Sequence, residues 1–406
     1  MSITTDRAHT SENRNRNDRT DNVGPDQGAE TALEATANWA PSAWPPDYWG
    51  DEEDAVLVCR RVLDITHDVR SFHFEPVGKH AFTFDPGQFI TLQLDIDGEK
   101  VARCYTISSP PTRPHLISIT VKRVVGGAVS NWLHDNVVPG TRIVAQAPLG
   151  AFTLPRRHAE KYLFLSAGSG ITPVMSMTRT LYDLGSDADV LFVHSARTPA
   201  DIIFRRELDA IAAVMPNIRV IHVCEGDYPS ERWTGLRGRL STAMLQAIAP
   251  DAAERETYVC GPGAYMASVR RILEDIGYDM RKHHEESFSF DRLPASELPR
   301  PVENDTSDHD GGDEDSSATT SFSVEFVKSG VTVTCGADEK VLDAAATAGL
   351  RLPASCTEGM CGTCKTTLLA GEVDMKHNGG IRPKEIAAGK VLVCCSTPLS
   401  DLRVDS

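Results

Sequence analysis

Apolar and polar positions alternate in short runs from Ala55 to about Leu154: AVLVCRRVLDI, SFHFEP, QFITLQLDI, ARCYTISS, LISITVKRV and TRIVAQAP. Gly, Pro and Asp separate them. A period of two bounded by turn residues predicts strands, and this many short strands predict a small antiparallel β-barrel or sandwich over residues 50–157. The rhythm changes at Lys161. KYLFLSA is a short apolar run followed by GSGITP and a helical pattern, VMSMTRTLYDL. DVLFVHSA, RVIHVCE and TYVCGP repeat the strand pattern, with helices expected around Phe204–Met215, Ser241–Ile248 and Tyr265–Ile276. Strand alternating with helix predicts an α/β domain with a parallel sheet over 158–291. From Ser321 the strands FSVEFV and VTVTCG precede a helix, VLDAAATAG, which predicts an α+β domain over 321–406.

Two segments lack this patterning. Residues 1–45 are polar and poor in aliphatics, and are expected to form a disordered tail. Residues 292–320 combine Pro, Ser, Gly and acidic residues with almost no aliphatics. Burial there cannot offset the entropy lost on ordering, so a flexible acidic linker is expected.

Charge narrows the partners. A formal net charge of -16 repels nucleic acid and anionic lipid, so neither is expected to bind. No run reaches the roughly 18 apolar residues of a membrane span, and the N-terminus has no apolar signal region. Five of the ten cysteines, Cys356, Cys361, Cys364, Cys394 and Cys395, lie in the last 51 residues. In a cytoplasmic chain such clustering suggests metal before disulfides.

Cys356, Cys361 and Cys364 form C-x4-C-x2-C, and Cys394 follows after 29 intervening residues. This is the spacing of plant-type [2Fe–2S] ferredoxins. Two irons need four thiolates, and Gly359 and Gly362 let backbone N–H groups approach them. A zinc site is the alternative, but zinc ligands usually come as paired C-x2-C or with histidines. Of the adjacent Cys394 and Cys395, the ferredoxin pattern favours Cys394, closing the strand VLVC. The expected fold of this domain is the β-grasp.

RCYTISS, from Arg103 to Ser109, resembles the R-x-Y-[ST] signature of the ferredoxin–NAD(P)H reductase family. The resemblance implies that Arg103 pairs with the flavin phosphate, Tyr105 packs on the flavin, and the Thr106 hydroxyl bonds near N5. Ser108 belongs to the same motif. In VKRVVGGAVSNWLHD, which begins near Lys122, Gly126 and Gly127 open a turn into a helix starting near Val129. Helix-start N–H groups favour a pyrophosphate, and Ser130 either caps the helix or bonds the phosphate. In this place the segment points to FAD. PLGAF, Pro148 to Phe152, matches the family's turn at the end of the barrel.

GSGITP follows a strand and precedes a helix, the context a dinucleotide loop requires. It resembles the family's G-x-G-x-[ST]-P, with Gly168 and Gly170 allowing close approach and Thr172 and Pro173 starting the helix. CGPGAYM, from Cys260 with Gly261 and Pro262, resembles the motif that sets a cysteine beside the nicotinamide C4. A buried structural cysteine is the alternative. Family members stack an aromatic residue on the flavin near the end of this domain, here Phe288 or Phe290. His283 and His284 read as surface residues on opposite faces of a strand. Arg197 and Arg205 could meet the 2′-phosphate of NADPH, and no acid is apparent for a ribose diol, yet the resemblance favours NADH.

The motifs occur in the order flavin, NAD(P), ferredoxin. They resemble the reductase components of Rieske-type oxygenases. VDMKHNGGI followed by VLVCCSTPL is similar to reductases serving glycine betaine, stachydrine and carnitine oxygenation or demethylation. The resemblance implies electron flow from NAD(P)H to FAD to [2Fe–2S] to a Rieske-type oxygenase. A reductase of a hybrid-cluster or hydroxylase system, or a non-enzymatic flavin–ferredoxin module, are the alternatives.

Overall fold

The computed structural model describes residues 48–49, 54–78, 81–154, 159–288, 320–350 and 362–406, with 352, 354, 357 and 359. The expected tail and residues 292–319 of the expected linker lie outside the described residues.

The alternating runs become strands β1 (Ala55–Thr66), β2 (Val69–Pro76), β3 (Phe89–Ile96), β4 (Glu99–Thr106), β5 (Ile117–Lys122) and β6 (Arg142–Leu149). They form one antiparallel sheet in the order β4-β3-β6-β1-β2-β5. An antiparallel bridge between Ile107 and Ile119 brings the ends together as a barrel. Its inward positions, among them Leu57, Phe72, Phe74, Ile90 and Leu92, are fully buried. Each such side chain contributes about 1.5–3 kcal/mol. Helix α1 (Ala128–Asn136) adds Val129 and Leu133 to that core.

The second domain holds strands β7 (Lys161–Ala167), β8 (Asp189–Ala196), β9 (Ile218–Cys224), β10 (Leu236–Arg237), β11 (Glu256–Gly261) and β12 (His283–Ser287). All are parallel, in the order β10-β9-β8-β7-β11-β12. Helices α2 (Ile171–Asp183), α3 (Arg205–Val214), α4 (Thr242–Ile248) and α5 (Gly263–Asp275) connect them. The chain steps outward from β7 and then returns to its other side with β11. That reversal makes the switch point at which open α/β sheets bind ligands beyond their strand ends.

Every residue of α2 from Ile171 to Leu181 is buried. One side packs on Phe164, Phe192 and Leu208. The other meets the barrel: Ser176 Oγ donates to Ser109 O at 2.8 Å, and Arg179 Nη1 to Ser108 O at 2.5 Å. Arg179 also pairs with Glu207 at 2.6 Å and lies over the Phe204 ring. The helix that starts at the GSG loop therefore grips two carbonyls just past the end of β4, the strand that carries R-x-Y-T.

The third domain has strands β13 (Ser321–Phe326), β14 (Val331–Gly336), β15 (Lys365–Ala370), β16 (Val373–Met375), β17 (Lys390–Leu392), β18 (Ser396–Pro398) and β19 (Leu402–Val404), with helices α6 (Val341–Thr347) and α7 (Pro383–Ala387). The sheet order is β14-β13-β19-β15-β17, with β13 and β19 parallel. The expected strand, strand, helix succession is present. Helix α7 and the β16–β18 pair are further elements. Cys394 does not end a strand: β17 stops at Leu392, and Val393–Cys395 form a 3-10 turn.

Candidate active site and cluster-binding loop

Arg103 and Tyr105 share one face of β4, since strand side chains alternate. Among the described residues the Arg103 guanidinium meets no carboxylate, and its Nη1 donates to Ala102 O at 2.9 Å. Thr106 ends the strand, buried, and its Oγ1 has no hydrogen-bond partner among the described residues. A buried hydroxyl without a partner costs about 1–3 kcal/mol, so a bound group that supplies one fits here. The free cation, the aromatic face and the orphaned hydroxyl are the donor set a flavin needs.

Other expected flavin residues are placed differently. Ser108 Oγ is buried and bonded to Ser118 O, Ser118 Oγ and Thr120 Oγ1. Its hydroxyl closes the barrel. Lys122 pairs with Asp68 at 3.2 Å. Ser130 does not cap α1: its Oγ accepts from Val124 N–H at 3.1 Å and donates to Gly127 O at 3.2 Å. The hydroxyl braces the Gly126–Gly127 turn and leaves the first N–H groups of α1, those of Ala128 and Val129 among them, for an anion.

At the switch point the two coenzyme loops touch backbone to backbone. A Cβ on Gly170 would lie 2.4 Å from Cys260 O and 2.5 Å from Gly261 N. Gly168 precedes it, and Thr172 Oγ1 donates to Ser169 O at 3.1 Å, closing the turn ahead of the buried Pro173. Cys260 is fully buried, and burial, reinforced by nearby Glu286, raises its thiol well above the usual range. It stands as a neutral, polarisable wall rather than a thiolate. Pro262 leads into α5.

Sheet register pairs Ser166 with Cys260 and Cys260 with Glu286, which sets the three on one face in a row. Glu286 is 4% exposed, its Oε2 has no partner among the described residues, and burial pushes its carboxyl up to about 8. Sequence reasoning missed it. The signal lay in the period of two through His284, Glu286 and Phe288. Phe288 packs against the core that holds Phe152 and Tyr258; Phe290 lies outside the described residues. Of the two histidines, His284 stacks on Tyr258 and is 41% exposed, whereas the His283 side chain is 3% exposed and bonds Glu285. His283 is therefore not a surface residue: α5 and its Arg270–Glu285 pair lie over that strand.

Arg197 and Arg205 are both engaged. Arg197 pairs with Asp201 at 2.5 Å and lies 3.7 Å from Asp68. Arg205 Nη1 donates to both carboxylate oxygens of Glu231, at 2.8 and 3.1 Å, and its guanidinium lies over Trp233. Glu225 and Asp227 follow β9, and Glu225 N–H donates to Ala196 O at the end of β8. This bond extends the parallel ladder past the strand ends, and there Glu225 pairs with Arg239 and Asp227 with Arg237.

In the third domain Cys356 and Cys361 lie outside the described residues. Cys364 and Cys394 are buried in one core cluster. Gly359 N–H donates to Cys394 Sγ at 3.3 Å, the bond a thiolate ligand receives. A Cβ on Gly359 would lie 2.6 Å from Cys395 Sγ. Cys395 Sγ donates to Leu392 O at 3.6 Å, and its thiol is raised by the hydrogen bond with Cys394 and by burial. Cys394 receives and Cys395 gives, which suits Cys394 as the ligand.

A barrel held by Ser176 and Arg179 of α2 against a parallel-sheet switch point, in one chain with a cysteine-bearing β-grasp domain, defines the class: a flavin- and iron–sulfur-dependent electron-transfer oxidoreductase. Comparison with known proteins agrees. The oxidoreductase FAD-binding domain matches residues 57–154, the oxidoreductase NAD-binding domain 164–271, and the 2Fe-2S iron-sulfur cluster binding domain 325–399. The glycine betaine monooxygenase reductase subunit of Chromohalobacter salexigens is 46% identical over 352 residues, covering 86% of this chain and 94% of that one. The stachydrine N-demethylase reductase subunit of Rhizobium meliloti is 40% identical, covering 88% and 98%. Phthalate dioxygenase reductase shares the three-domain fold, with a TM-score of 0.53 and 24% identity over 87% of this chain and 98% of that one. The chain belongs to the family of FAD- and [2Fe–2S]-containing reductase subunits that includes the glycine betaine monooxygenase reductases. It is an oxidoreductase that passes electrons from NAD(P)H through FAD to [2Fe–2S].

Proposed function

We propose that this reductase draws on NADH and supplies a Rieske-type oxygenase acting on a quaternary or N-methylated amine such as glycine betaine, in the cytoplasm. The observation that carries the reading is the 46% identity along 94% of a glycine betaine monooxygenase reductase subunit. When bound, the flavin accepts an electron pair as hydride and the cluster accepts electrons singly. The protein's residues do the positioning. Arg103 and the start of α1 hold the phosphates, Tyr105 covers one ring face, and Thr106 Oγ1 donates toward the ring. Gly168 and Gly170 let the coenzyme backbone lie close, and buried Cys260 and Glu286 line the nicotinamide end and keep water out. Cys356, Cys361, Cys364 and Cys394 hold the irons.

The choice of NADH rests on the ion pairs at the adenosine edge. A 2′-phosphate carries nearly two negative charges. It would find Arg197 and Arg205 already held by Asp201 and Glu231. The test is turnover with candidate oxygenases across a panel of methylated amines, under NADH and then NADPH. Glycine betaine-type substrates should support NADH-driven demethylation. Absence of turnover with every quaternary amine would overturn the substrate class, and a preference for NADPH would overturn the coenzyme.

A further inference from the structure

VDMKHNGGI, from Val373 to Ile381, resembles a family marker, yet none of the chemistry above uses it. The structure gives its second half a place. Lys376 N–H donates to Cys395 O at 3.0 Å, and Asn378 and Gly380 N–H both donate to Gly359 O, at 3.1 and 2.9 Å. The loop is thus tied on one side to the two residues that flank the cluster thiolates. Its other side meets the flavin barrel. A Cβ on Gly379, where φ is +85°, would lie 2.9 Å from Ala151 N and 3.0 Å from Gly150 C. That is backbone against backbone, with no flexible side chain able to move aside.

The barrel side is just as closely tied to the flavin motif. Gly150 O accepts from Gln88 Nε2 at 3.3 Å, and Gln88 O accepts from Ile107 N–H at 2.8 Å, the residue after Thr106. The path from cluster loop to flavin motif therefore runs Gly359, Gly380, Gly379, Gly150, Gln88, Ile107. We infer that the Gly379–Gly150 contact is the docking station at which the ferredoxin domain receives electrons from the flavin domain of its own chain. One electron leaves the reduced flavin and enters the oxidised cluster, and no bond between protein atoms changes. This rests on the reading of the barrel as the flavin site. It also gives the GG pair of the marker a function: any side chain at 379 separates the two domains.

The test uses holoprotein and two variants. Gly379→Asn keeps a residue tolerant of the left-handed backbone but fills the contact. Ala151→Trp adds bulk on the barrel side and leaves the ferredoxin sequence untouched. Flavin content, cluster absorbance and NADH-driven flavin reduction should match the wild type in both. Electron transfer from flavin to cluster, followed by stopped flow and by the reduced-cluster EPR signal, should slow at least about tenfold as docking gives way to diffusive encounter. Small-angle scattering of the oxidised holoproteins should show a longer maximum dimension in the variants. A Gly379→Asn protein with full cofactors, wild-type dimension and wild-type transfer rate overturns the station. If Gly379→Asn fails to hold its cluster, Ala151→Trp decides alone, and unchanged transfer and dimension there overturn it. Loss of flavin reduction by NADH would instead count against the flavin-site reading.

Discussion

Gly170→Ala tests the hydride-transfer junction with one methyl group. The added Cβ would stand 2.4 Å from Cys260 O and 2.5 Å from both Cys260 C and Gly261 N. Ordinary contact begins near 3.4 Å, so the loops after β7 and β11 must part by about 1 Å. All three obstacles are backbone atoms of a central strand, so rotamer change gives no relief. Overpacking of this kind costs roughly 1–3 kcal/mol. The larger effect is on rate: a displacement of about 1 Å from near-attack geometry costs on the order of 10²-fold. Gly185→Ala is the control. It follows the end of α2 at φ +60°, with nothing within 4 Å of its Cβ and no place in the coenzyme loops. It should pay only the left-handed backbone penalty, about 1–2 kcal/mol of stability. Anaerobic stopped flow at the flavin band, with saturating NADH, separates them. Gly170→Ala should bind FAD normally and reduce it about a hundredfold more slowly, with Gly185→Ala within about threefold of wild type. Equal rates for Gly170→Ala and wild type would refute the claim that hydride passes across this junction.

Three further outcomes follow from the site. Arg103→Ala should lose flavin on gel filtration while keeping the cluster; a fully flavinated variant would remove Arg103 as phosphate anchor. Cys394→Ser should abolish the [2Fe–2S] absorbance and Cys395→Ser should retain it, since Gly359 N–H is aimed at Cys394 Sγ; the reverse result would reassign the ligand. Glu286 makes a pH prediction. Burial raises its carboxyl from 4.5 to about 8, so folding favours the protonated form. Its contribution is fully present below about 4.5 and is lost as pH rises through 8, at most ~5 kcal/mol. Denaturant melts of the coenzyme-free protein at pH 6 and pH 9 should show that decline in wild type and a flatter profile in Glu286→Gln; parallel profiles would mean Glu286 ionises normally.

The elements with a clear period were legible in the sequence: all six barrel strands, the parallel strands β7, β8, β9 and β11, and the opening of the third domain. So were the motif residues that local spacing brings together, such as Arg103 with Tyr105 and Gly168 with Gly170. What escaped depends on contacts distant in the chain. The partner of Arg205, Glu231, lies 26 residues away in the segment after β9. Glu286 reaches Cys260 only through the β11–β12 register. The 3-10 turn at Cys394 replaces a strand because Val393–Cys395 must swing a thiol back beneath Gly359. Ser108 and Ser130 lie within recognisable motifs, but their hydroxyls brace the barrel and a turn.

The central claim is that one chain carries electrons from NADH through FAD to a [2Fe–2S] cluster. Anaerobic titration of the purified holoprotein with NADH, followed by visible absorbance and low-temperature EPR, tests it directly. With a two-electron flavin and a one-electron cluster, full reduction should need about one and a half equivalents of NADH. The flavin band should bleach and the EPR signal of a reduced [2Fe–2S] centre should appear in the same titration. Bleached flavin beside a cluster that stays EPR-silent, or no bleaching with NADH at all, would contradict the account.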